Sequence, residues 1–169
     1  MNILIVEDEA LSARRLKTMV TEMDPTYRVL DITESVRKTV QWLQSHPSPD
    51  LMLMDIELTD GKSFDIFEQI TVKCPVIFVT AYDEYAIKAF KVNSIDYLLK
   101  PIKLEELARS MDKLRQLQQQ YTQGSGGLNI QSLLQAFEKH VSYRERFLIK
   151  QADRLLPGES ILLRLSDRP

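Results

Sequence analysis

One cysteine, two histidines and no long apolar run set the first limits on this chain of 169 residues. A single cysteine, Cys74, excludes an internal disulfide and fits a reducing compartment. His46 and His140 stand far apart without metal-ligand spacing, so both are expected on the surface. No apolar stretch approaches the roughly 20 residues needed to cross a bilayer, and residues 1–6 enter a short apolar run without a basic leader. A cytoplasmic location and no membrane contact are therefore expected. Charge is not in excess either: 22 basic against 24 acidic residues leave a formal net charge of −2. Nothing global advertises nucleic acid, and any DNA binding must come from a local surface or from further sequence.

What is present is an alternation. Unbroken apolar runs at residues 3–6, 51–54, 76–79 and 97–99 suit strands buried on both faces, and a more polar run at 28–32 suits an edge. Between them lie segments with helical spacing: Leu11, Leu16, Met19 and Val20, then Val36, Val40 and Leu43. A further helix is expected over 83–92. Strands alternating with helices imply right-handed crossovers and a parallel sheet with helices on both sides. The expected fold is thus an α/β three-layer sandwich of five parallel strands, occupying residues 1–120.

The last helix of this block begins near Lys103 and carries Leu104, Leu107, Met111 and Leu114. That stripe reads first as packing on the sheet; its extension through Leu117 and Tyr121 offers the alternative of a homodimer seam. The apolar pattern fades at Gln118, Gln119 and Gln120, and glycines follow, so 121–127 reads as a linker. Residues 128–140 have helical spacing and 146–150 look strand-like, too little for an independent core.

The chemistry gathers where the strands end. Glu7 and Asp8 follow the first strand, Asp55 the third, Thr80 closes the fourth and Lys100 follows the fifth. In a parallel sheet these positions share the carboxyl edge, where ligands bind. Three carboxylates so close repel one another unless a cation intervenes, and Mg2+, with its preference for oxygen ligands, suits Asp8, Asp55 and Glu7. Asp55 is then placed to act as a nucleophile toward an activated phosphoryl group, while Lys100 and the Thr80 hydroxyl can neutralise and hold its oxygens. Taken singly, each residue has a plainer explanation: a helix cap for Glu7, Asp8, Asp55 or Thr80, a solvated charge for Lys100. Glu9 and Ser12 could share the capping job in the first helix. Pro101 after Lys100 suggests a sharp turn, with a cis peptide as one option.

The Glu7–Asp8 pair, Asp55, Thr80–Ala81 and Lys100–Pro101 together resemble the receiver domain of two-component response regulators. The resemblance covers residues 1–120 and implies a flavodoxin-like topology, with the strands in the order 2-1-3-4-5. It implies a phosphorylation switch with Asp55 as phosphoacceptor and a sensor histidine kinase as donor. Glu7, Asp8, Asp55 and the Glu57 backbone carbonyl become Mg2+ ligands, and Thr80 and Lys100 sense the phosphoryl oxygens. Tyr97 becomes a switch aromatic. The stretch from Thr80 to Pro101, TAYDEYAIKAFKVNSIDYLLKP, is similar to receivers of the LytTR class, which regulate transcription through a C-terminal DNA-binding domain. RFLIKQADRLLP, residues 146–157, resembles the opening of that domain. Residues 128–169 are accordingly expected to hold a helix and either its incomplete start or an unrelated tail, with DNA binding reserved for a full-length output domain.

Two competitors carry less. A Mg-dependent phosphatase of the haloacid-dehalogenase type needs an Asp where this chain has Glu57. A nucleotide or flavin module needs a glycine-rich first turn, where this chain has the acidic Val6-Glu7-Asp8-Glu9-Ala10.

Overall fold

Strands without a polar residue in their interiors are stable only where both faces are covered, and the computed structural model, which describes residues 1–92 and 94–123, buries the runs at 3–6, 51–54 and 76–79 in this way, whereas in the run at 97–99 only Leu98 is buried and Leu99, near the sheet edge, is 46% exposed. The elements are β1 Asn2–Val6, α1 Ala10–Met23, β2 Arg28–Thr33, α2 Val36–Ser45, β3 Leu51–Met54, β4 Glu57–Leu58, β5 Gly61–Lys62, α3 Phe64–Gln69, β6 Val76–Thr80, α4 Ala86–Lys91, β7 Asp96–Leu99 and α5 Leu104–Gln123. The five-stranded sheet has the order β2-β1-β3-β6-β7, with every neighbouring pair parallel. Apart from the two hairpin strands β4 and β5, this is the order expected from the sequence.

Strand alternation divides the interior into two cores. Ile3, Ile5, Leu51, Leu53, Ile77 and Val79 face one side, where Leu16, Met19 and Val20 of α1 meet Leu107, Met111 and Leu114 of α5. Leu4, Val6, Met52, Met54, Val76 and Phe78 face the other, against Val36, Val40 and Trp42 of α2, Phe64 and Ile66 of α3 and Ala89 of α4. Trp42 is buried and stacks on His46, ring centroids 4.6 Å apart. β2 is the wet edge, with Arg28, Leu30 and Asp31 exposed.

Other expectations change as well. Leu11 is 73% exposed: five positions from Leu16 is well off one helical face, and α1 buries Ala13 instead. α4 starts at Ala86 rather than residue 83. α5 continues to Gln123, past the exit expected around Gln118, because glutamine is a good helix former and the first breaker is Gly124. Leu107, Met111, Leu114 and the partly buried Leu117 pack on the sheet core, as the plainer reading has it, whereas Leu104 at the start of the stripe is exposed. The expected linker beyond Gln123, the helix at 128–140 and the strand at 146–150 lie outside the described residues.

The small hairpin is an addition to the expected elements. Leu58 pairs with Gly61 and Glu57 with Lys62 around Thr59 and Asp60, and Gly61 takes φ 151°, a conformation costly for any residue with a Cβ. The turn docks on the start of α2: Asp60 accepts from the backbone N–H groups of Val36 at 2.6 Å and Arg37 at 3.0 Å. With Ser35 Oγ accepting from Lys38 N at 3.1 Å, the free donors of that helix end are satisfied.

Candidate functional site: an acidic pocket at the carboxyl edge of the sheet

β1, β3, β6 and β7 run parallel, so their C-terminal ends share one rim, and the first polar residue after each apolar run falls there. Backbone bonds fix the geometry: Asp55 N–H donates to Val6 O at 2.8 Å, and Lys100 N–H to Thr80 O at 2.8 Å. Glu7, Asp8 and Asp55 each offer a carboxylate oxygen within 4.8 Å of the others. Glu7 and Asp55 are buried and Asp8 is exposed.

Lys100 closes the group. Its Nζ lies 2.6 Å from Asp55 Oδ2 and donates to Glu7 Oε1 at 3.0 Å. It is also 2.8 Å from Glu7 Oε2, a charge contact without hydrogen-bond geometry, so that oxygen keeps its lone pairs free. Burial pushes the Glu7 carboxyl above its ordinary range and the Asp55 charge adds to the rise, while Lys100 and the Glu9 N–H pull it back. For Lys100 burial works to lower the ammonium, but the hydrogen bonds and charges of Asp55 and Glu7 outweigh it, and the group stays above its ordinary value. Lys100 is thus a cation held in place, its side chain 18% exposed, and not a solvated charge. The Lys100–Pro101 peptide is cis.

Thr80 is fully buried and its hydroxyl has no hydrogen-bond partner, which removes the helix-cap explanation for it. A hydroxyl held dry and unpaired costs free energy, and such groups gather where a ligand oxygen is to be met. Asp55 Oδ1 accepts from the N–H of Ile56 at 2.6 Å, leaving the carboxylate locked in direction. Glu9 and Ser12 do bond to each other, at 2.6 Å, but the Glu9 side chain makes no cap to α1.

Two further expected residues make contacts of their own. The Glu57 side chain, as distinct from the backbone carbonyl expected as a ligand, turns its carboxylate to Lys62. Tyr97 is half-buried, its ring 6.5 Å from Phe78, and its hydroxyl donates to the Tyr82 carbonyl. Lys62 and Tyr85, which meet beside this pocket, carry no motif that singles them out; the Asp60–Gly61 dipeptide, a strong hairpin signal, is the one clue that points to the first of them.

The oxygen-only donor set, a free lone pair on Glu7 and one exposed acid fit a hard divalent ion. Comparison with known proteins agrees with the class. The response regulator receiver domain matches residues 3–112, and the chain belongs to that family. Among curated relatives it is 39% identical over 116 residues to the sensory transduction protein LytT of Enterococcus faecalis, covering 67% of this chain and 47% of that protein. It is 37% identical to the positive alginate biosynthesis regulatory protein of Pseudomonas aeruginosa, covering 67% and 46%. The chain thus spans about half the length of the curated relatives it matches. The fold is shared with the response regulatory domain of protein mrkE from Klebsiella pneumoniae, at a TM-score of 0.64 and 24% identity, over 71% of this chain and 99% of that one. The phosphatase alternative finds no support in these relatives. Among the described residues no helix is long and apolar enough to cross a membrane.

Proposed function

We propose that Asp55 accepts a phosphoryl group from a phosphohistidine of a sensor histidine kinase, and that the chain carries this event to an output. The observation that supports it best is the Lys100 bridge: one ammonium from the end of β7 meets carboxylates from the ends of β1 and β3. An Asp55 oxygen attacks phosphorus as the bond to the donor nitrogen breaks, and the histidine leaves with the electron pair. Lys100 and the Thr80 hydroxyl take up the oxygens of the transferred group. Glu7, Asp8, Asp55 and the Glu57 carbonyl are the ligands for Mg2+, which when bound neutralises charge between the carboxylates and the phosphoryl oxygens. The chain is a phosphoacceptor rather than a turnover enzyme.

Movement of Thr80 toward the phosphoryl group would release the Tyr97 hydroxyl from Tyr82 and change the surface of α4 and β7. In this reading the receiver runs to the end of α5, a short linker up to residue 127 follows, and 128–169 are the beginning of an output region. Kinship with the sensory transduction protein LytT and the positive alginate biosynthesis regulatory protein supports transcriptional control, with DNA contacted only through a full-length output domain. Intact-mass measurement after treatment with phosphoramidate and Mg2+ tests the reading. One phosphoryl group is expected on the wild type and none on Asp55→Asn; an equal gain on both would overturn it.

A further inference from the structure

A second set of contacts ties the hairpin that follows Asp55 to the segment that follows Thr80. Glu57 and Lys62 are register partners on the β4–β5 hairpin, and the Lys62 ammonium pairs with the Glu57 carboxylate. The same Nζ donates to the Tyr85 hydroxyl at 2.5 Å and lies 4.2 Å from the centre of that ring. Tyr85 in turn packs on Phe64 and on Tyr82, at 6.2 Å and 6.1 Å between centroids, and the Tyr82 carbonyl holds the Tyr97 hydroxyl. Lys62 therefore joins the segment that follows Asp55 to the segment that follows Thr80. It is more than a third exposed, so its pair with Glu57 adds little to stability. What it contributes is position.

We infer that Lys62 is a positioning residue that straps these two segments together, keeps the Glu57 carboxylate occupied, and so prolongs the life of a phosphoryl group on Asp55. The inference rests on the phosphoacceptor role proposed above. Loss of the group is hydrolysis: a water oxygen bonds to phosphorus while the bond from phosphorus to the Asp55 oxygen breaks. Asp55 departs with that electron pair as carboxylate, and both water protons leave on dihydrogen phosphate. A free carboxylate at the position of Glu57 is a general base able to hold the attacking water. Paired with an ammonium, it has less capacity to do so. Release of Tyr85 from Lys62 also unties the segment that follows Thr80 from the β4–β5 hairpin.

The test follows the decay of the phosphoryl adduct on the full chain by intact mass, after phosphoramidate and Mg2+ treatment and removal of excess donor. Lys62→Met is expected to lose the group at least about threefold faster than wild type, still well short of the effect of a fully placed general base. Lys62→Arg, which keeps donors for both Glu57 and Tyr85, is expected to decay like wild type. Adding Glu57→Gln to Lys62→Met is expected to slow the decay again. A wild-type lifetime in Lys62→Met, a Lys62→Arg as short-lived as the methionine variant, or no recovery with Glu57→Gln would overturn the inference. Absence of an Asp55-dependent adduct on the wild type would instead sink the underlying reading, and the inference with it.

Discussion

Lys100 Nζ lies 2.6 Å from Asp55 Oδ2, and the two side chains come from strands that are not neighbours in the sheet. In Lys100→Met, Glu7 and Asp55 stay buried beside each other and lose their shared cation. Removing one partner from a buried ion pair costs about 3 kcal/mol. Urea unfolding without Mg2+ should show a loss of that size, and millimolar Mg2+ should restore more stability to the variant than to the wild type. Equal Mg2+ responses would contradict the cation role assigned to Lys100.

Thr80→Val replaces a buried hydroxyl that has no partner with a methyl of similar shape. The unphosphorylated protein should be as stable as wild type or about 1 kcal/mol more so. The same variant should yield less Asp55 adduct. A loss of stability in urea would mean that the hydroxyl has a partner after all.

The turn beside the pocket makes a separate prediction. Asp60→Ala deletes the acceptor for two N–H groups at the start of α2 and should cost about 1 kcal/mol. Gly61→Ala sets a Cβ 3.0 Å from Asp65 Oδ2 at φ +151° and should cost about 1–2 kcal/mol. Thermal or urea midpoints measure both, and a neutral Gly61→Ala would argue against the turn geometry.

These residues also mark how far the sequence can be read. Ile3 to Val6, Leu51 to Met54 and Val76 to Val79 announce buried strands by being wholly apolar, and the polar residue after each one then has a single edge to occupy. That is why Glu7, Asp8, Asp55, Thr80 and Lys100 are legible in the amino-acid order alone, although their roles rest on resemblance. The Lys62 bridge is not, because a long flexible side chain leaves no periodic trace and its partner Tyr85 lies in a different segment. The exposure of Leu11 is hidden for another reason: its hydrophobicity suggests burial, and only its angle around α1 shows that it points away from the sheet.

Alkaline pH should weaken the fold through two groups. Burial pushes the Cys74 thiol from 9.0 up to about 12. Burial, followed by the charges of Asp83 and Glu84, raises Tyr97 from 10.0 to about 12. In both cases the protonated form is favoured in the folded state, so the contribution is intact below the ordinary value and is lost as pH rises toward about 12. Stability measured in urea should fall over that range, less steeply in Cys74→Ala. A pH profile unchanged by that substitution would contradict the assignment, as would rapid reaction of native Cys74 with a thiol reagent at pH 8.

β3 and β6 are buried along their whole length, and Asp55 and Thr80 stand at their tips. The base of the pocket is therefore as incompressible as the protein interior, and Asp55 and Thr80 keep their mutual placement for as long as that interior stays packed. A change of chemistry would require repacking both halves of the interior at once.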